Sequence, residues 1–243
     1  MKAAQEIVTL EPSLIYHQVV VNTHINRFRT TYQEFFQLKE TVKLVEYFFN
    51  RVYNLEGKQD RDALVLSTYG KFRSLISEKS RNRMENLINL NDLTDRLDQQ
   101  MAQFLRKKGP KPVSHDAILT NPQIKACYQK ANRKEDRQEQ LNLLVHNLES
   151  FFELSKHPLA EVIMRPAYLA AVMVNAKTLY NLFEEGYLAA KPVSRETFYK
   201  FIEAVKTREA EYLEHIYSSP KAEKKPTVSK AGKKKKTSAA AKS

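Results

Sequence analysis

Residues 47–53 read Tyr47-Phe48-Phe49-Asn50-Arg51-Val52-Tyr53, and Arg61-Asp62 follow after seven further residues. Phe48, Phe49 and Val52 recur at helical spacing, so the stretch reads as the inward face of a helix whose aromatics fill a core. Tyr47 and Tyr53 bracket it. Arg61 and Asp62 fall where the next helix begins, placed to pair with helix ends or with Glu46 and Arg51 across the turn. These residues describe architecture rather than a reaction centre.

The same three- and four-residue periodicity extends outward in both directions. Val21, Ile25, Phe28, Tyr32 and Phe35 mark a first helix over residues 13–38. A second, over 40–54, turns Val45, Phe48, Phe49 and Val52 inward and closes at Asn54 and Gly57, which tolerate the left-handed conformation. A third begins near Asp60 and Asp62 and runs to 77 with Leu64, Leu66 and Leu75 buried. A fourth, 81–107, carries Met84, Leu87, Ile88, Leu97, Met101 and Leu105, with a kink expected at 90–93. Gly109-Pro110-Lys111-Pro112 reads as a surface loop, followed by a short helix from Pro122. A long helix over 134–155 is striped by Leu141, Leu144, Leu148 and Phe151 and broken by Pro158. Pro166 is expected in the first turn of a helix reaching 190. Ser194 caps the last, which buries Phe198, Phe201, Ile202, Val205, Tyr212 and Ile216. No fixed-period repeat appears, which argues against a solenoid.

Composition agrees with this pattern. Of 243 residues 42% are hydrophobic and only five are glycine, each isolated, so neither a turn-rich β-sandwich nor a glycine-loop α/β domain fits. The expected fold is all-α: one bundle-like domain of six to eight helices over residues 13–218, between a flexible stretch at 1–12 and a disordered tail at 219–243. A lone Cys127 excludes an intrachain disulfide and a thiolate zinc site. The first ten residues lack the features of a secretory signal, and no apolar run approaches the ~20 residues that span a bilayer. A cytoplasmic location is expected.

Residues 47–53 resemble the Phe-Phe-Leu-Glu-Glu-Leu-Tyr segment of the FFLEELY-motif family of bacterial helical proteins. Tyr53, Arg61 and Asp62 match that family's spacing, and Leu182-Phe183-Glu184-Glu185-Gly186-Tyr187 and Arg208-Glu209 resemble features near its C-terminus. The likeness covers about residues 27–217. Asn54-Leu55 stand where the family has Gly-Pro, and Gly57-Lys58 where it has Asp-Phe, so the connection after Tyr53 is expected to differ. The resemblance implies an all-α fold and a bacterial origin, and no activity.

Candidate chemistry is sparse. His17 and His24 lie two helical turns apart beside Val21 and Phe28 and are the candidates for a haem or metal site. No Glu-x-x-His occurs, which disfavours a di-iron bundle. Cys127, flanked by Lys125 and Lys130, is the only thiol that cations could activate. Glu184-Glu185 and Arg208-Glu209 are a candidate polar cluster between the last two helices. No P-loop, nucleophile elbow or kinase motif is present, and no cofactor is called for.

Charge carries the strongest functional signal. The chain has a formal net charge of +12; the nine lysines and single glutamate of residues 220–243 account for +8, leaving +4 for residues 1–219. Lys224, Lys225, Lys230, Lys233, Lys234, Lys235 and Lys236 form a polycation suited to nucleic acid or another polyanion through counterion release, and equally attractive to anionic headgroups. The favoured expectation is a non-enzymatic helical scaffold that docks a protein partner and holds nucleic acid with its tail. The alternatives are an amphipathic-helix protein of granule or membrane surfaces resembling phasins, and a haem or metal protein using His17 and His24.

Overall fold

The computed structural model describes residues 12–74, 76–108, 114–173 and 175–218; the expected loop at 109–112 and the lysines of the tail lie outside the described residues. Among the described residues all regular structure is helical. α1 (Pro12–Thr31), α2 (Gln33–Phe36) and α3 (Val42–Tyr47) lead into a π-helical turn, Phe48–Val52. α4 (Lys58–Phe72), α5 (Glu78–Lys108), α6 (Asn121–Ala131), α7 (Lys134–Ser155), α8 (Ala160–Met173), α9 (Lys177–Ala190) and α10 (Arg195–Tyr217) complete the chain. Eight of these helices are eleven residues or longer, in line with the expected bundle.

α1 is the axis. Val19, Val20 and Val21 are all buried, which one-sided packing of a helix does not allow, so neighbours enclose α1 on several sides. Toward its N-terminal half, Val20 packs with Met101 and Leu105 of α5, Cys127 and Tyr128 of α6, and Leu213 and Ile216 of α10. Beyond its C-terminal end, Tyr32 packs with Leu141, Val145 and Phe152 of α7 and with Phe198, Ile202 and Val205 of α10. Ser194 caps α10 as expected, its hydroxyl accepting from the Thr197 amide at 3.2 Å.

The structure corrects several sequence expectations. The first helix stops at Thr31, and the second divides into α3 and the π-helical turn. Val52 is 38% exposed rather than inward, because the wider π turn rotates it off the core face. α4 buries no residue fully, and Leu66 points to solvent; α4 lies on the bundle instead of within it. α5 runs unbroken through 90–93. Pro166 lies inside α8, and that helix is separated from α9 by Asn175, whose φ of 59° places it in the left-handed region. The buried line of α7 passes through Val145 and Phe152, while Phe151 packs edge-on to Phe183 of α9.

Two stretches singled out in the sequence meet where α9 crosses α3. Gly186 is buried in α9, and a Cβ built there would lie 2.6 Å from Cζ and 2.8 Å from Oη of Tyr47. The glycine is needed because the tyrosine ring lies directly on the helix backbone. Gly186→Ala therefore destabilises the protein by about 1–3 kcal/mol through overpacking, despite alanine's higher helix propensity. Urea unfolding of a double-mutant cycle with Tyr47→Leu checks this: the penalty shrinks once the ring is gone.

Candidate functional site

The polar centre of the molecule is Asp98, 1% exposed, on the inner face of α5. Three elements converge on it. Arg137 of α7 donates from Nη2 to Oδ1 at 3.1 Å, and Tyr53, closing the π-helical turn, donates from Oη to Oδ2 at 2.8 Å. Nε2 of His24, on α1, lies 3.5 Å from Oδ1 without completing a hydrogen bond. Arg137 also lies over the Tyr128 ring at 4.8 Å, and His24 meets that ring edge-on at 5.8 Å. Burial alone would raise the Asp98 carboxyl. His24, Arg137 and Tyr53 outweigh it and hold the group well below the usual carboxylate range. Burial and the adjacent carboxylate push the Tyr53 phenol well above its ordinary value, so it is a donor at every working pH.

Local geometry explains why Tyr53 arrives there. Its amide donates to the Phe48 carbonyl at 2.8 Å, the five-residue step of a π turn, which displaces the following residues relative to an α-helix. Phe49 anchors the turn in the core. Arg61 fixes its exit: Nη2 donates to the Asn54 carbonyl at 2.9 Å and reaches the Val52 carbonyl at 3.4 Å. Gly57, with φ of 60°, starts α4 from the left-handed region. Asp62 pairs with Lys58 and accepts from Asn91 Nδ2 of α5 at 3.1 Å. Arg61 thus serves the end of the turn, as one of the two sequence options held. Glu46 and Arg51 are engaged elsewhere, with Arg29 and Glu185 respectively.

A second buried ion pair joins α1 to α10. Arg27 donates through both terminal nitrogens to Glu209, at 2.9 and 2.6 Å, and Tyr32 donates to the same carboxylate at 2.8 Å. Arg27 also covers the Tyr212 ring at 4.0 Å, and Tyr212 meets Tyr128 edge-on at 6.0 Å. The two pairs are therefore ends of one seam in which cations, rings and carboxylates alternate. Glu184-Glu185 and Arg208-Glu209 do not form the expected cluster: Glu185 faces Arg51, Glu184 accepts from Tyr180, and Arg208 pairs with Glu34.

The remaining candidates fall as follows. His17 and His24 are buried, but each faces its own carboxylate on α5, Asp95 at 3.7 Å and Asp98 at 3.5 Å. Among the described residues no group of three or more histidines, cysteines and carboxylates could hold a metal ion. Burial pushes the Cys127 thiol up to about 11, opposite to the activation its lysine neighbours suggested. A small void of about 30 Å³ adjoins His17, Val21, Tyr53, Leu55, Asp95 and Asp98, room for one water-sized molecule. An open groove of about 530 Å³ runs between α3 and α9, lined by Val42, Tyr47, Arg51, Glu185 and Leu188 among others.

Residues 16–223 match the family described as a domain of unknown function (DUF8198). The chain belongs to that family. The match spans the whole seam from His17 to Glu209, as well as the turn at 48–52 and the α3–α9 groove. Comparison with curated proteins and with solved structures finds no match.

Two outcomes follow from the buried charges. Asp98→Asn leaves Arg137 buried without its counter-charge and costs about 3–5 kcal/mol in urea unfolding, whereas Tyr53→Phe, which removes one hydrogen bond to a charged group, costs about 1.5–3 kcal/mol. The pH profile has a defined sign. Burial lowers the His24 pKa below 6.5, so the unfolded chain binds more protons in that range and stability falls as pH drops below 6.5. Asp98, lowered from 3.8, adds a separate loss below that value. Thermal melts across pH 2–8 of the wild type and His24→Gln check this; the variant lacks much of the upper step.

Proposed function

We propose that this chain is a non-enzymatic helical interaction protein: a rigid body that presents outward faces to partners and holds a polyanion, nucleic acid in the first instance, through its lysine-rich C-terminal segment. One observation carries the reading. Arg137 and Tyr53 engage Asp98, Arg27 and Tyr32 engage Glu209, and the void beside Asp98 measures about 30 Å³. The open features are external: the α3–α9 groove, an apolar face on α8, and in the sequence a segment carrying +8.

On this reading residues 47–53, with their likeness to the FFLEELY segment, serve architecture, and the protein works in the cytoplasm. No described helix is long and apolar enough to cross a membrane. The second reading, a protein of granule or membrane surfaces, gains from the exposed apolar residues of α8, and a protein partner would find the same face.

The polyanion role is tested by salt-titrated binding of double-stranded DNA to the full chain and to a variant with Lys224, Lys225, Lys230, Lys233, Lys234, Lys235 and Lys236 replaced by Gln. The wild type binds, with affinity falling steeply in salt. The variant's slope of log affinity against log salt is smaller by up to about 6, near 0.9 per lost phosphate contact. Equal slopes, or negligible binding by both proteins, overturn the role given to the lysines.

A further inference from the structure

Where α1, α4 and α5 meet, two nitrogens compete for one oxygen. Nε2 of His17 lies 3.7 Å from Oδ1 of Asp95, and Nζ of Lys58 lies 3.6 Å from that same atom. Neither approach is close enough for a hydrogen bond. The other carboxylate oxygen, Oδ2, accepts from Nε2 of Gln99 at 2.7 Å. The small void described above is lined by His17, Lys58, Asp95 and Asp98 alike. Facing His17 are therefore Asp95 and Asp98 of α5, Lys58 at the start of α4 and Tyr53 at the end of the π-helical turn. Asp98 is engaged by Arg137 and Tyr53, with His24 beside it, so Asp95 is the carboxylate open to contest.

The two cations differ in what holds them. His17 is 7% exposed on α1, next to the enclosed Val19, Val20 and Val21, and it cannot leave without that helix. Lys58 opens α4, which buries no residue fully. It also carries its own counter-charge, pairing with Asp62 one turn on, so the two can leave as a neutral pair. The contacts of α4 with α5 include Asn91 donating to Asp62 at 3.1 Å and Tyr69 donating to Glu85 at 2.5 Å. An element with so little buried surface opens locally long before the whole fold does.

The sign of the pH response follows. Burial lowers the His17 pKa below 6.5; Asp98 and Asp95 oppose that shift and Lys58 adds to it. With Lys58 withdrawn and water admitted, the value returns toward that of a free imidazole. The open form then binds a proton that the closed form does not. Closure is complete above 6.5 and weakens as pH falls below it.

We propose that His17, Asp95 and Lys58 form a proton-sensing latch: on acidification the His17 imidazolium takes Asp95 from Lys58, and the N-terminal part of α4 swings off α5. One proton moves from solvent to the imidazole, and no covalent bond changes. Release uncovers the side of α5 around Asn91 and Asp95. The latch is independent of what the protein binds.

Hydrogen exchange read by mass spectrometry tests it on the full chain at pH 7.5 and 5.5, with labelling times scaled for the intrinsic rate of amide exchange. Protection within residues 58–72 falls by up to about tenfold between the two, the limit for one proton taken up over the unit below 6.5. His17→Gln, which keeps a polar side chain but cannot charge, abolishes that fall. His24→Gln retains it, which separates the latch from the Asp98 centre. Lys58→Gln removes the competing cation from a half-buried position and shrinks the response, and it stands in for His17→Gln should that variant not fold. Equal protection of 58–72 at both pH values in the wild type overturns the proposal. So does a fall of wild-type size in His17→Gln or in Lys58→Gln, or one matched in extent by α7 and α10, which marks unfolding of the whole bundle.

Discussion

The arrangement of the bundle depends on a carboxylate placed where water does not reach. Asp98 on α5 is almost wholly buried, and such a charge is tolerable only while its partners hold their places. Those partners come from three other elements: Arg137 from α7, Tyr53 from the end of the π-helical turn and His24 from α1. Apolar side chains tolerate small slips of one helix past another, because dispersion contacts re-form at the new register. A bidentate acceptor with two aimed donors does not. Asp98 therefore sets the relative depth of α1, α5 and α7 in a way that the leucine and valine contacts around it do not.

The Arg27–Glu209 pair plays the same part between α1 and α10, and the aromatic rings connect the two pairs. Tyr128 meets Arg137, His24 and Tyr212, while Arg27 covers Tyr212. A cation over a ring and a ring edge beside another ring extend each charge's field through a medium of low dielectric. α1 contributes to every part of the seam, through His24, Arg27 and Tyr32, which explains a helix enclosed on several sides yet carrying so many polar residues. The π-helical turn belongs to the same logic: its extra residue per turn is what brings Tyr53 onto the carboxylate, and Arg61 holds the turn's loose carbonyls.

How much of this was legible in the sequence divides by the kind of signal. The helical class, the limits of α7 and the Ser194 cap follow from periodicity and capping chemistry, which are local. The π turn was not legible, since Phe48, Phe49 and Val52 have the same spacing in either helix type, and the misplacement of Val52 follows from that. The break at Asn175 was hidden because proline is the louder signal, and Pro166 is accommodated inside α8. The buried charges left a trace that composition obscures. Glu209 stands in phase with Ile202, Val205, Leu213 and Ile216, and Asp98 in phase with Met101, Ala102 and Leu105. A charged residue on an apolar stripe signals an internal partner. Which partner it finds depends on the three-dimensional packing, and separations of 39 residues from Asp98 to Arg137 and 182 from Arg27 to Glu209 put that beyond local reading.

The same criterion, applied in reverse, distinguishes α8. Along α5, α7 and α10 the apolar stripe is the buried side, so sequence pattern and packing agree. Along α8 Tyr168 packs edge-on to Tyr180 of α9, while Val162, Leu169 and Met173 are exposed. Water contact with the remaining side costs free energy in proportion to the apolar area, about 25 cal/mol per Å². α4 by contrast is a surface helix that buries no residue fully, and its Asp62 accepts from Asn91 of α5. Polar residues at Val162, Leu169 and Met173 would have avoided that cost.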